Sequence, residues 1–268
     1  MNRSSRWKKN RKRVRLLDPG VLRRELRARV KALGASPAVH FADISNNNGQ
    51  ITEEMIREYA KNHDVLVVKA SEGRTWADPK LADFVKWAKK AGLIVAPYHF
   101  ARPDNNDPAA EAAHFVNACR KAGLRLGPRR QFWFERDELP GVLDYEVYHP
   151  DGLDADWIHG FMANYRRLTD HGIARWKGRK DAVTANCILY GGNIVRERLG
   201  TRNLGALYWL AAYTRTAAPY WPAGLLKRHR LAWQYTDKGR FRAFGPYDTD
   251  RNRFVGQLQL RDLLGLAT

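Results

Sequence analysis

Gly141-Val142-Leu143-Asp144-Tyr145-Glu146 is the stretch around which the rest of the chain is organised. An apolar approach leads into two carboxylates that are separated by one residue. In a β-strand, residues i and i+2 point to the same side, so Asp144 and Glu146 would share one face, about 6–7 Å apart along the strand. Two carboxyl groups this close do not ionise independently, and one is pushed towards keeping its proton at neutral pH. The stretch therefore predicts a strand that ends in an acid–base pair.

The composition is that of a globular protein whose positive charge is unevenly spread. The chain has 268 residues, 44% of them hydrophobic, which is enough for one large domain or two small ones. Of the net charge of +19, residues 1–38 contribute +11. A basic protein is drawn to polyanions such as nucleic acid, anionic lipid or an anionic bacterial wall, and charge alone leaves that choice open.

Several classes of protein are disfavoured by what the sequence lacks. No stretch approaches about 18 consecutive apolar residues, so no transmembrane helix is expected, and no apolar segment follows the basic N-terminus as in a secretory signal. Cys119 and Cys187 lie in unrelated contexts, which favours two reduced thiols over a disulfide. Neither a zinc-ligand spacing nor a glycine-rich phosphate loop is present, so we expect no metal and no cofactor.

The first 37 residues are predicted to form a basic extension, and residues 38–268 the main domain. Residues 21–33 carry an apolar stripe at positions i, i+4, i+8 and i+11, with arginines and a lysine on the other side, which predicts a short amphipathic helix. Such a helix, with the basic residues 1–33 around it, could bind a membrane surface or anionic wall polymers. The favoured interpretation is a helix that docks on the main domain with its charges in water.

From residue 38 onward, strand-like and helix-like segments alternate, which predicts a parallel sheet with helical crossovers. About eight strands in about 230 residues favour a closed barrel over an open sheet. Little helical sequence remains after residue 227. The predicted strands are 38–42, 65–70, 93–100, 143–146, 183–190, 206–213, 231–235 and a last segment near 250; the predicted helices are 52–62, 79–91, 107–122 and 154–170.

Polar and aromatic residues stand at the ends of these strands. In a parallel barrel, functional groups gather at the carboxyl ends of the strands, so these residues should meet at one rim. Carboxylates ringed by aromatic side chains are typical of a sugar-binding cleft. The residues are the carboxylates Asp43, Asp144, Glu146 and Asp250, and the flanking Tyr98, Tyr190, Trp209, Tyr213, Gln234 and Tyr235. For the three tyrosines 98, 190 and 213, sugar contact and core packing are equally open; for Trp209 core packing is favoured.

The chain resembles the glycoside hydrolase family 25 lysozymes, the Chalaropsis-type muramidases common in phage endolysins. The resemblance covers about residues 38–255, with the motifs in the order of the family. It implies an α/β fold, namely an irregular TIM-like (β/α)5β3 barrel. The matching motifs are Asp43-Ile44-Ser45, Lys69-Ala70-Ser71-Glu72-Gly73, Ala96-Pro97-Tyr98-His99-Phe100-Ala101, Leu143-Asp144-Tyr145-Glu146, Leu189-Tyr190, Trp209-Leu210-Ala211-Ala212-Tyr213, Trp233-Gln234-Tyr235 and Asp250-Arg251-Asn252-Arg253-Phe254.

The resemblance also implies roles for individual residues. Glu146 matches the general acid of the family, and Asp144 would control its proton and face the oxocarbenium-like centre or the substrate acetamido group. Asp43 and Asp250 would orient sugar or water. The six flanking residues named above would bind the substrate.

Two further polar residues at the strand ends are predicted to be structural. Glu72 is expected to be a buried carboxylate paired with a barrel group. His99 is expected to be a rim histidine with its hydrogen bonds satisfied, and not a metal ligand.

The implied function is hydrolysis of the β-1,4 bond between N-acetylmuramic acid and N-acetylglucosamine in bacterial peptidoglycan. The missing signal suggests an endolysin that waits in the host cytoplasm until it is released to the wall. One alternative is a non-catalytic barrel that only grips wall glycan, although a binder needs no acid. A second is nucleic-acid binding by the extension, which would be non-specific and electrostatic. A chitinase-like barrel is disfavoured because its longer acidic signature is absent.

Deletion of residues 1–37 is expected to weaken binding to wall preparations, because it removes a large part of the positive charge. The loss should shrink as salt is added, and hydrolysis of short glycan fragments should persist. Co-sedimentation with purified walls at low and high salt measures this. Identical binding of the two forms at low salt would refute an electrostatic role.

Overall fold

The computed structural model describes residues 40–126, 138–169 and 187–199 and, apart from a few single positions, 204–255. The basic extension with its predicted helix lies outside the described residues, as does the first part of the predicted strand 183–190. The statements below concern the described residues.

Nine strands form one sheet, and eight of them close it into a barrel. They are β1 (His40–Ile44), β2 (Val65–Glu72), β3 (Trp76–Ala77), β4 (Ile94–Phe100), β5 (Val142–Asp144), β6 (Ile188–Gly191), β7 (Leu207–Ala211), β8 (Arg230–Gly239) and β9 (Thr249–Phe254). Around the barrel the order is β1, β2, β4, β5, β6, β7, β8, β9 and back to β1. All neighbours are parallel except β9, which is antiparallel to both β8 and β1. The two-residue β3 is an additional arm on β2 that the sequence did not predict.

Four α-helices connect the first strands. They are α1 (Glu53–Tyr59), α2 (Leu81–Lys90), α3 (Pro108–Lys121) and α4 (Asp154–Thr169). Thr52 caps α1, and Asp107 caps α3 with Pro108 in its first turn, as such sequences should. A π-helical turn at Val195–Leu199 follows β6, and β7, β8 and β9 complete the barrel. The predicted α/β fold, an irregular (β/α)5β3 barrel, is therefore confirmed.

The core has two layers, because successive residues of a strand face opposite sides. In β2, Val65 and Val67 fill the barrel interior, whereas Leu66 and Val68 pack against the surrounding helices. An aromatic row on α4 is buried in this outer layer; it consists of Trp157, Phe161 and Tyr165. Cys119 and Cys187 are both buried and unpaired, as predicted. None of the helices described is long and apolar enough to cross a bilayer.

Helices α3 and α4 determine where β5 lies. The Gly141 N–H donates to the Tyr165 hydroxyl on α4 at 2.9 Å. A Cβ at residue 141 would lie 2.7 Å from Phe115 Cε1 on α3 and 2.8 Å from the same hydroxyl. Only glycine leaves room for the strand to approach both helices this closely, and the residues that follow it carry the acid pair.

Gly141→Ala should therefore destabilise the fold by about 1–3 kcal/mol, because two packed rings must move to admit one methyl group. Thermal unfolding measures the loss. Gly192→Ala is the matched control, since its Cβ would meet nothing closer than 3.6 Å, and we expect a change within about 0.5 kcal/mol. Equal melting temperatures for the two variants would show that this contact is not a constraint.

Candidate active site

Two of the predicted carboxylates meet across the seam that closes the barrel. Asp43 on β1 lies directly opposite Asp250 on β9 in the antiparallel register, and their side chains are hydrogen-bonded to each other. Directly opposed residues of an antiparallel pair are about 4.5–5.5 Å apart at Cβ. A hydrogen bond between two carboxyl groups requires a proton, so this pair is not doubly ionised.

The surroundings show which member of the pair holds the proton. Asp43 Oδ2 accepts from Asn252 Nδ2 at 2.7 Å and from Gln234 Nε2 at 3.3 Å, and these amide donors favour its anion. Burial and the charge of Asp43 raise the pKa of Asp250 to about 10. Burial raises the pKa of Asp43 as well, but its hydrogen bonds oppose that rise. The proton therefore lies on Asp250, which donates to Asp43.

The other two carboxylates come from the end of β5. Strand β5 ends at Asp144, two residues earlier than predicted. The side chains that follow still point alternately to the helix side and to the mouth. Tyr145 turns to the helix side, where it is fully buried and its hydroxyl donates to Asp154 at 3.0 Å. Asp144 is buried, whereas Glu146 is exposed at the mouth. The charge of Glu146 is the leading charge effect on Asp144, so the two carboxyls interact as the spacing predicted.

Asp144 is the most isolated of the four. Its Oδ1 is buried and has no hydrogen-bond partner among the described residues. Burial and the charge of Glu146 raise the pKa of Asp144 well above its usual range. Burial and the charge of Asp43 raise the pKa of Glu146. Asp144 and Glu146 together therefore tend to hold one proton. A ligand could donate the hydrogen bond that Asp144 Oδ1 lacks.

Gln234 and Asn252 connect the carboxylates to the predicted aromatic residues. The hydroxyls of Tyr190 and Tyr213 both donate to Gln234 Oε1, at 2.8 and 2.7 Å. The Trp209 indole N–H donates to Asn252 Oδ1 at 3.0 Å. Gln234 and Asn252 are thereby held with their amide hydrogens towards Asp43. Tyr190 and Trp209 are buried, whereas Tyr213 is exposed and can contact a ligand.

Tyr98 also belongs to the site. It is partly buried on the interior side of β4, and burial and the charge of Asp43 raise its pKa well above its usual range. The structure thus brings together all four predicted carboxylates and five of the six predicted flanking residues.

Tyr235 is the predicted site residue that the structure places elsewhere. It follows Gln234 directly in β8, so the strand turns its side chain to the outer face. There it packs at the edge of Trp233, and its hydroxyl lies 3.1 Å from His40 Nδ1. Its predicted role in substrate binding is therefore not supported by its position.

His99 is also not where it was expected. It is fully buried between barrel and helices, not at the rim. Its hydrogen bonds are satisfied, as predicted: Nδ1 lies 2.9 Å from Ser71 Oγ and Nε2 2.8 Å from Glu111 Oε2. Among the described residues, no group of three or more His, Cys, Asp or Glu is arranged to hold a metal ion.

Sequence reasoning missed the cations of the site. Lys69 shares the interior face of β2 with Val65 and Val67, and its charge acts on both Asp144 and Glu146. A lysine on the interior face of an otherwise apolar strand is a signal that could have identified it. Glu72, expected to pair with a barrel group, accepts from Lys69 Nζ at 2.8 Å.

Exposed aromatic residues extend the rim beyond the predicted set. They follow the carboxyl ends of β2, β5 and β7 and carry flat faces of the kind that pack on sugar rings. In the described part of the chain they are Trp76, Tyr148 and Tyr220, in addition to the predicted Tyr213.

Comparison with known proteins places the chain in one group. The family described as glycosyl hydrolases family 25 matches residues 42–244. The autolytic lysozyme of Clostridium acetobutylicum is 39% identical over 197 residues, which cover 74% of this chain and 50% of that protein. Lysozyme M1 of Streptomyces globisporus is 27% identical over 227 residues, 81% of this chain and 68% of that protein. The chain thus spans half the length of the Clostridium relative.

Solved structures agree with the sequence matches. The bacterial lysozyme from Streptomyces coelicolor superposes with a TM-score of 0.64 at 27% identity, covering 87% of this chain and 98% of that one. The muramidase from Trichobolus zukalii has the same fold, with a TM-score of 0.61 at 24% identity, covering 86% of this chain and 99% of that one.

Asp250→Asn should stabilise the protein at neutral and alkaline pH. The Asp250 carboxyl ionises at about pH 4 in the unfolded chain but at about 10 in the fold. Between these values the unfolded chain releases a proton that the folded protein keeps, so wild-type stability falls as the pH rises. The amide can still donate to Asp43 and does not titrate. We expect a gain of about 1–2 kcal/mol at pH 8 and almost none at pH 4, measured by thermal unfolding.

Asp248→Asn is the control for this experiment. It makes the same chemical change at a neighbouring carboxylate that is exposed and paired with Arg240. We expect its stability to differ little from the wild type at either pH. A stabilisation by Asp250→Asn that is the same at pH 4 and pH 8 would contradict the proton assignment.

Proposed function

The chain belongs to glycosyl hydrolases family 25, and from this premise we propose that it is a lysozyme that hydrolyses bacterial peptidoglycan. The bond would be the β-1,4 link between N-acetylmuramic acid and N-acetylglucosamine. The observation that carries the proposal is the convergence of Asp43, Asp144, Glu146 and Asp250 on one barrel mouth. Two relatives that bear the name lysozyme support it. Host lysis by a phage and storage in the host cytoplasm stay predictions from the sequence.

Glu146 is proposed as the general acid. It is the most exposed of the four carboxylates, so it can reach a glycosidic oxygen lying across the mouth. Burial of its inner side and the charge of Asp43 raise the pKa of Glu146, which favours the protonated form that an acid needs. Its proton passes to the glycosidic oxygen, and the C1–O bond breaks with its electron pair on the leaving sugar.

Asp144 is proposed to stabilise the reacting sugar. Its buried Oδ1 lacks a donor, and the acetamido N–H of the substrate is a donor of suitable chemistry. A hydrogen bond to the carboxylate form favours that form. Substrate binding would therefore move the shared proton from Asp144 to Glu146, where it is needed. The Asp144 anion would then face the positive charge that develops at C1.

Asp43 and Asp250 are proposed to orient the water or sugar on the other side of the mouth. Asp43 is held as the anion by Asn252 and Gln234, and Asp250 carries the proton of the pair. An anion in a fixed position can accept a proton from a water molecule as its oxygen bonds to C1. The net reaction adds one water across the glycosidic bond.

Glu146→Gln should abolish clearing of a peptidoglycan suspension, with a loss of about 10²–10⁴ in rate or more, because an amide cannot supply the proton. Turbidity gives the rate, and mass analysis of the released reducing ends shows whether they are muramic acid. Glu54→Gln, the same change on an exposed, ion-paired residue of α1, should keep full activity.

Melting temperature and wall binding of Glu146→Gln should match those of the wild type. Wild-type activity should also fall as the pH rises past the pKa of Glu146, since the ionised form has no proton to give. Unchanged clearing by Glu146→Gln would remove this residue from the acid role. A wild type that binds walls but releases no sugar would leave a glycan-binding barrel instead.

A further inference from the structure

One corner of the mouth is positively charged, although the rest of the site is acidic. Glu72, at the end of β2, accepts from Lys69 Nζ at 2.8 Å and from Arg102 Nε at 2.9 Å. Two cations thus share one carboxylate, which leaves a surplus positive charge. We call Lys69, Glu72, Trp76, Phe100 and Arg102 the basic corner.

Aromatic rings hold these cations in place. The Phe100 ring has Lys69 Nζ 5.0 Å from its centroid and the Arg102 guanidinium carbon also at 5.0 Å. Lys69 Nζ lies 5.1 Å from the centroid of Trp76, which is 39% exposed on the arm β3. Cations within about 6 Å of a ring are attracted to its face. The charged groups are therefore fixed before any ligand arrives, which lowers the entropic cost of binding.

The basic corner lies directly beside the acid pair. Phe100 is the register partner of Asp144 across β4 and β5, and the Ala101 N–H donates to the Asp144 carbonyl oxygen at 2.9 Å. A sugar seated over Asp144 would therefore have a neighbouring group within reach of this corner.

Both cations keep donors for a ligand. The Lys69 ammonium has three N–H donors, and its one hydrogen bond among the described residues is to Glu72. The Arg102 side chain is 43% exposed. It donates two hydrogen bonds to Glu72, one from Nε and one from Nη2. The corner can thus offer charge-assisted donors without breaking its own contacts.

We propose that the basic corner is a subsite for the anionic substituent of the muramic sugar, so that the lactyl-bearing sugar lies on the β2–β4 side of the carboxylates. The inference rests on the proposed function. The two sugars of the polymer differ in the lactyl ether, which carries a carboxylate or the peptide stem attached through it. The carboxylates of the site repel that charge, whereas the surplus charge of the corner attracts it. The basic corner therefore determines in which direction the glycan chain of the substrate lies across the mouth.

The test measures binding and not turnover, so that it does not depend on catalysis. In the Glu146→Gln background, calorimetry compares two tetrasaccharides of alternating muramic acid and glucosamine units. One has free lactyl carboxylates and the other has neutral lactyl methylamides. We expect the carboxylate form to bind about three- to fivefold more tightly at low salt, as for a partly exposed ion pair. The preference should shrink as salt is added.

Arg102→Gln in the same background should bring the ratio of the two dissociation constants to about one, and Arg102→Lys should keep part of the preference. Arg57→Gln is the matched control, since Arg57 pairs with Glu54 on exposed α1 and should leave the ratio unchanged. A parent protein without a preference, or a preference that survives Arg102→Gln or high salt, would overturn the proposal.

Failure of the proposed function gives a different result. In that case the wild type, with Glu146 intact, cleaves neither tetrasaccharide, whatever the ratio of the binding constants. If Arg102→Gln does not fold, the salt dependence of the parent protein still decides the question, because a charge-based preference must weaken as salt is added.

Discussion

The closing seam of the barrel is the constraint on which the site depends. Because β9 runs antiparallel to β1, Asp43 and Asp250 are placed directly opposite each other. Two opposed carboxylates would repel, and the fold tolerates them only because one keeps its proton and the other receives amide donors. Gln234 and Asn252, which supply those donors, are themselves fixed by hydrogen bonds from Tyr190 on β6 and Trp209 on β7. The geometry of closure thus determines both the charge and the rigidity of this side of the mouth.

The acid pair on β5 is built differently. Asp144 is the last residue of β5 and Glu146 lies two residues beyond it, so their interaction is local. Their difference lies in exposure: Asp144 is buried with one oxygen unsatisfied, and Glu146 faces solvent. Each pair can hold one proton, but the seam pair is satisfied internally whereas the β5 pair lacks a donor. A hydrogen-bond donor on the ligand therefore changes the protonation of Asp144 and Glu146 more than that of the seam pair. The reaction is proposed to begin at Asp144 and Glu146.

The positions of most site residues could be predicted from the sequence. They follow from the alternation of side chains between the two faces of a strand and from the meeting of the carboxyl ends of parallel strands at one rim. That reasoning located the four carboxylates and Gln234, and it failed for Tyr235 because two consecutive strand residues cannot share a face. The same rule, applied to β2, would have identified Lys69. Trp76 and Arg102 were beyond reach, since their positions depend on the arm β3 and on contacts between distant segments.

The buried Ser71, His99 and Glu111 show how the outer layer supports the mouth. Their hydrogen bonds run in the order of a nucleophilic triad, but all three side chains are fully buried, so no substrate reaches them. Glu111 on α3 also accepts from the Arg102 backbone N–H, at 3.1 and 3.2 Å. The chain leaving β4 is thereby tied to both a helix and a neighbouring strand. This anchoring holds the backbone of Arg102 in place, so that its guanidinium can meet Glu72 at the rim.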